Sequence, residues 1–213
     1  MVRLGMILDL QRCVGCGSCV IACKAEQGTP PNILFARVLY DEVGKYPKVT
    51  RVFFPMLCFH CKNPPCMTVC PTKAIYKRPD GIVLIDPEKC GGHQSCVAAC
   101  PYNAISPPTK KVPYYPEGPT PYEVLKQKNW NEKVATKCTL CYHRVDQGFE
   151  PACVVICPCK ARIFGDLDDS HSAPSMYLKT RGLKEGVPPV RPLDKGFPIL
   201  PEKETQPSVL YVR

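Results

Sequence analysis

Residues 13–23 read CVGCGSCVIAC, four cysteines in the spacing C-x2-C-x2-C-x3-C. Three thiols two residues apart can wrap three corners of a cubane of iron and sulfide, and Gly15 and Gly17 permit the tight turns that aim backbone amides at its sulfides. The frame then returns. Residues 58–71, CFHCKNPPCMTVCP, keep it with two extra residues before the third cysteine, giving Cys58, Cys61, Cys66 and Cys70 as candidate ligands. Residues 138–158, CTLCYHRVDQGFEPACVVICP, stretch the same gap much further and offer Cys138, Cys141, Cys153 and Cys157. Every group closes on Cys-x3-Cys, and in all but the first a proline follows; Lys24 follows Cys23 instead. This is an internal repeat of a metal-ligand unit.

The third group departs from the rule. Residues 90–101 read CGGHQSCVAACP, so Cys90, Cys96 and Cys100 fall in place and His93 stands where the second cysteine belongs. One site is therefore short of a thiolate. Either His93 gives an imidazole nitrogen to the fourth iron, or that iron is absent and the cluster is 3Fe-4S. In the bacterial ferredoxin pattern the fourth cysteine of such a run ligates the other cluster of a pair, so clusters come in twos.

Composition excludes the competing classes. The chain has 213 residues with 16 cysteines and 25 prolines, so something besides apolar burial must organise it. A disulfide scaffold does not explain three cysteines per short turn, and structural zinc, built on paired C-x2-C knuckles, has no use for the third close cysteine. Nucleic acid is not the expected partner either: the formal charge of +9 counts each cysteine as neutral, and four clusters of about −2 each would cancel nearly all of it. Lys24, Lys62, Lys89, Lys137 and Lys160 each lie beside a cysteine or one residue from it, as that balance expects. The opening MVRLGMILDLQRC is too short an apolar run for a secretory leader and belongs to the folded body. The longest apolar stretches, 82–85 and 52–54, fall far below the roughly 18 residues of a membrane span. His60, His143 and His171 read as surface or hydrogen-bonding residues, His60, inside a C-x2-C loop, at most as a donor to a cluster sulfur, and Cys159, outside the repeat, as a small buried thiol.

Between the groups the patterns are short. ILFARVLYDEV (33–43) and KVTRVFFP (48–55) flank the turn-forming GKYP and predict a β-hairpin. Pro79-Asp80-Gly81 before IVLID predicts a turn and strand, ARIFGDL (161–167) a strand, and SMYLKTR (175–181) a helical turn or two. The insert 107–137 is proline-rich and predicts an extended surface excursion with a short helix around 123–128. From residue 186 the tail carries six prolines and has little to fold around by itself. Insert and tail are too long to be idle connections, and both are expected to lie against a partner chain.

Four groups in this order, with GDLDD (165–169) and a late VLYVR (209–213), resemble the iron-sulfur subunit of molybdopterin oxidoreductases of the dimethyl sulfoxide reductase family, most of all the small subunits of respiratory arsenate, polysulfide, thiosulfate and tetrathionate reductases. The resemblance covers most of the chain. It implies an α+β fold of two ferredoxin-like bicluster modules with short strands, short helices and long Pro-rich excursions: an outer module of 1–57 and 103–169, an inner one of 58–102, and an extended tail, 170–213, packing on the partner. It also implies the pairing. Cys13, Cys16, Cys19 and Cys157 would hold the cluster nearest the catalytic subunit; Cys138, Cys141, Cys153 and Cys23 the second; Cys58, Cys61, Cys66 and Cys100 the third; Cys90, Cys96 and Cys70, with His93, the fourth. Three would be 4Fe-4S, and the fourth either 4Fe-4S with His93 as ligand or 3Fe-4S as in nitrate reductase relatives that carry tryptophan at this position. The implied function is electron transfer without a substrate-transforming site, beside a large partner holding molybdenum or tungsten bis-pterin and, in many members, a membrane quinone-reactive subunit; the alternative is a cluster-bearing subunit of a non-respiratory enzyme such as a transhydroxylase. Cluster insertion implies assembly in the cytoplasm, followed by co-export with the partner or retention at the membrane.

Overall fold

The computed structural model describes residues 2–182 and 205–212. Strand β1 (Leu4–Asp9) leads into group one, whose last two cysteines lie on helix α1 (Ser18–Gln27). Gly17 and Gly28, both left-handed, begin and end that helix, and Gly28 N–H closes it on the Lys24 carbonyl at 2.8 Å. The predicted hairpin follows as β2 (Arg37–Lys45) and β3 (Lys48–Met56), antiparallel with Leu39 opposite Phe54. Its tip is exposed and its base, with Phe54 and Met56, enters the core.

Group two ends on α2 (Pro65–Thr68), and the Pro-Asp-Gly turn joins β4 (Ile75–Lys77) to β5 (Val83–Ile85) as predicted. Group three ends on α3 (Ser95–Ala99), followed by β6 (Ile105–Ser106). Within the insert lies α4 (Pro121–Lys126), started by a capping box in which the Thr120 hydroxyl accepts from Glu123 N–H and the Glu123 carboxylate accepts from Thr120 N–H. Then come β7 (Thr136–Lys137), which pairs with β6, α5 (Tyr142–Val145), α6 (Ala152–Val155) and β8 (Arg162–Asp166). The chain closes with α7 (Ala173–Thr180) and β9 (Val209–Val212).

Two packings organise these pieces. Helix α1 rests on α6, and α2 rests on α3, so group one meets group four and group two meets group three. Strand β1 fixes the first meeting, because β8 lies antiparallel along it with Ile7 opposite Ile163. The core runs through both, joining Met6, Leu8, Phe35, Phe54, Phe59 and Tyr102, with the Phe59 and Tyr102 rings stacked at 4.1 Å. Short strands and helices around dicluster modules are the α+β ferredoxin-like class expected.

Two regions hold more structure of their own than expected. Over 205–212 the tail forms β9, which joins the central sheet, parallel to β1 with Ile7 opposite Leu210, and Val209, Tyr211 and Val212 are buried. Residues 170–182 are likewise structured, since α7 packs on β8 and Leu178 is buried with Ile7 and Val212. The proline-rich part, 186–204, lies outside the described residues. The insert, in turn, docks on α1 and the turn after it, where Tyr114 OH donates to Thr29 O at 3.0 Å and Lys126 Nζ to Glu26 O at 3.2 Å, and is braced within itself by Trp130 Nε1 donating to Thr109 O at 3.3 Å. Only its outer side, with Val124 and Leu125 exposed, is left for a partner. Among the described residues no helix is long and apolar enough to cross a membrane.

Candidate metal centres

All sixteen cysteines are free. They gather by the helix packing just described, and three hollows mark the result. Cys13, Cys16, Cys19 and Cys157 line one; Cys23, Cys138, Cys141 and Cys153 line a second; Cys70, Cys90, His93 and Cys96 line a third. The remaining candidates form a set of their own. Burial first, then the neighbouring Cys58, Cys66 and Cys100, push the Cys61 thiol up to about 12.

Each set mixes groups for the same mechanical reason. Cys19 and Cys23 lie one turn apart on α1, so one faces the first hollow and the other the second. The Cys-x3-Cys of the other groups behaves alike, with Cys153 and Cys157 on different hollows. The loops repeat too: the residue before the second ligand position is left-handed every time, at Gly15 (φ 70°), His60 (41°), Gly92 (70°) and Leu140 (54°). Gly15 is irreplaceable here, because a Cβ would lie 2.3 Å from the Phe53 ring. After each Cys-Pro the alanine amide turns back on the cysteine, Ala104 N–H to Cys100 Sγ at 3.5 Å and Ala161 N–H to Cys157 Sγ at 3.3 Å.

The sets stand in file. Arg162 reaches Cys19 of the first set and Cys153 of the second at 3.3 and 3.6 Å, Leu57, next to Cys58 of the third, lines the second hollow, and Cys66 of the third packs in one cluster with Cys96 of the fourth. At one end Cys16 is exposed, and at the other Cys70 and Cys90 are half-buried and His93 is exposed; Cys138 and Cys58, between them, are buried.

These donors fit clusters and little else. Burial, then the like charges of Cys153 and Cys141, push Cys23 up to about 12, and burial drives Cys138 well above its ordinary value. Four thiolates cannot share one hollow unless a positive core lies among them. A single ion does not serve: among the described residues no three His, Cys, Asp or Glu side chains converge at the spacing one metal ion needs. Buried cations that have no carboxylate partner among the described residues say the same from the other side. Lys137 is buried, with Nζ donating to the carbonyls of Val83 and Cys138; burial raises the Cys66 and Cys100 thiols, and the positive charge of Lys137 partly opposes that rise. Arg162 is buried, and among the described residues its guanidinium donates to sulfur atoms: Cys19 Sγ at 3.3 Å, Cys153 Sγ and Met6 Sδ both at 3.6 Å. Such cations need a nearby negative charge, which thiolate-ligated clusters provide.

Of the five lysines expected to balance cluster charge, Lys137 is buried; Lys62, Lys89 and Lys160 are exposed, and Lys24 ties down the Pro30 and Ile33 carbonyls. Sequence reasoning misses Arg162, although a signal is there: the repeat Cys-Pro-x-x-Ala ends in Ile75 and Ile105 but here in arginine. His60 is not a surface residue. It is buried, its Nδ1 accepts from Val83 N–H at 3.1 Å, and its Nε2 has no protein partner among the described residues, a donor left for a sulfide. His143 pairs with Glu26 at 2.8 Å, and His171 is exposed. Cys159, half-buried, lines the first hollow as a fifth thiol.

Comparison with known proteins agrees with this geometry. Residues 49–114 and 116–167 match one model of the 4Fe-4S dicluster domain, and residues 12–74 match another of the same description. The chain is 35 % identical over 243 residues to the iron-sulfur subunit of the arsenate respiratory reductase of Shewanella sp., spanning all of this chain and 97 % of that one. It is 35 % identical to a subunit of the sulfite dehydrogenase of Allochromatium vinosum, over all of this chain and 83 % of the other. A subunit of the tetrathionate reductase of Salmonella typhimurium is 36 % identical, over 99 % of this chain and 72 % of its own.

Proposed function

From the premise that this chain belongs to the iron-sulfur subunits of the dimethyl sulfoxide reductase family, with its 4Fe-4S dicluster domains, we propose that it relays electrons through four clusters between a molybdopterin catalytic subunit and a second redox partner. The observation that carries this reading is the file of four ligand sets, buried in the middle and open at both ends. When bound, each cluster supplies a one-electron carrier. The chain's own work is to hold each set, keep water from the inner ones and keep neighbours close. Around Cys16 the exposed Val14, Ile21, Val155 and Ile156 give an apolar face against which the catalytic subunit packs. The opposite end, beside Met67 and Val69, faces the other partner, which in a membrane complex is quinone-reactive.

In the purified complex this subunit is expected to hold about 15 to 16 irons on its 15 repeat cysteines, all reduced by a low-potential donor and reoxidised on addition of the catalytic subunit's acceptor. Iron near half that value in fully loaded protein, or clusters that stay reduced during turnover, would sink the relay.

His93 completes the fourth set in this reading. Gly92 and Gln94, both left-handed, flank it as Gly15 and Gly17 flank Cys16, so His93 occupies the backbone position of a ligand. The imidazole is longer than a cysteine side chain, and Gly91 accommodates it: a Cβ there would lie 2.8 Å from His93 Nε2. A neutral imidazole removes one negative charge from the site, so this is the easiest cluster of the four to reduce, as in Rieske centres. Electron paramagnetic resonance of the oxidised complex should therefore lack the intense signal near g of about 2.01 that marks a 3Fe-4S centre. Its presence would show that His93 leaves the iron unligated.

A further inference from the structure

Arg162 opens β8 directly after the alanine that turns back on Cys157. The residue is 4 % exposed. Nη2 donates to Cys19 Sγ at 3.3 Å, and Nη1 donates to Cys153 Sγ at 3.6 Å. Cys19 lines the first hollow and Cys153 the second, so one side chain touches sulfur in two neighbouring sets. The repeat does not need an arginine for its fold. At the same position after Cys-Pro-x-x-Ala the inner groups carry Ile75 and Ile105, both buried in an apolar cluster.

We propose that Arg162 is a positioning residue for electron transfer, a fixed cation that raises the reduction potentials of the first and second clusters together. The inference rests on the four-cluster reading above. Adding one electron to a cluster adds one negative charge, and a permanent cation hydrogen-bonded to the cluster's thiolates stabilises the product more than the reactant. Burial strengthens that preference, since no water lies between to screen it. Guanidinium suits the task because it stays charged and offers parallel donors to two acceptors at once, whereas an ammonium is a single point charge. An electron exchanged between the two clusters, in either direction, would bring no proton onto Arg162, which is already a cation in both states.

The test is a redox titration of the intact complex followed by electron paramagnetic resonance, each cluster being assigned by comparison with variants lacking one ligand of its set. In Arg162→Gln the reduction equilibria of the first and second clusters should each fall about tenfold or more, 59 mV per tenfold for a one-electron couple, while the third and fourth hold their values. A fall in only one, an equal fall in all four, or no change with iron retained would overturn the proposal. Should Arg162→Gln fail to take up its iron, Arg162→Lys decides. Its ammonium keeps the charge but lacks the planar fork that reaches both sulfurs, so at least one potential of the pair should fall about threefold or more; both unmoved would overturn the proposal. Loss of the four-cluster reading would appear differently, as a shortfall of iron in the unmodified complex.

Discussion

Removing residues 205–213 should leave a protein that neither folds stably nor retains its third set of cysteines in place. Strand β9 is only four residues long, yet Val209, Tyr211 and Val212 are each about 2 % exposed or less. Burial of such side chains contributes about 1.5–3 kcal/mol each, so the three together rival the roughly 5–15 kcal/mol by which domains are usually stable. The backbone adds a second loss. Met6 N–H donates to Ser208 O and Leu10 N–H to Val212 O, both at 2.9 Å, so truncation strips one flank of β1. On the other side, Ser208 N–H donates to Phe59 O at 2.9 Å, Lys62 N–H to Gln206 O at 2.8 Å and Asn63 N–H to Thr205 O at 3.0 Å. These contacts brace both sides of Cys61. The Tyr211 hydroxyl meanwhile donates to Pro55 O at 2.8 Å, beneath the rings of Phe54 and Phe59. Thermal unfolding and iron content of the truncated chain, expressed with its partner, are the measurements; a melting point and iron load equal to those of the full chain would refute this account.

What makes β9 hard to read is also what makes it important. VLYV has strand-forming residues, but four residues after a proline-rich stretch carry no periodicity, and the partner strand lies at the opposite end of the chain. The hairpin 37–56 and the Pro-Asp-Gly turn are legible because each strand pairs with its neighbour in sequence, through turn chemistry that is local. The cysteine groups are legible for a related reason: a ligand frame fixes spacing more strictly than any helix or strand does. Which group lends its last cysteine to which site is a tertiary fact. It enters through family resemblance, and the packing of α1 on α6 and α2 on α3 gives it a cause. Arg162 lies beyond reach because a buried cation looks like a surface residue until its surroundings are known, whereas the place of His60 inside a C-x2-C loop already points to a sulfur as its partner.

The sharing of cysteines across groups predicts which substitutions behave as one. Cys23 belongs by sequence to group one, but it lines the hollow of Cys138, Cys141 and Cys153, and a turn of α1 separates it from Cys19. Burial raises its thiol most, then Cys153 and Cys141, so its strongest like-charged neighbours are those of the second site. In Cys23→Ala the complex should therefore lose about four irons, and Cys138→Ala should lose the same ones. The double variant should lose no more than either, because groups that act on one site are not additive. Cys16→Ala empties a different hollow, so adding it to Cys138→Ala should double the loss. The comparison controls for simple misfolding, since a general collapse would make every pair look alike. If instead Cys23→Ala and Cys138→Ala add, while Cys23→Ala and Cys16→Ala do not, group one closes on its own cluster and the crossing of cysteines between groups is wrong.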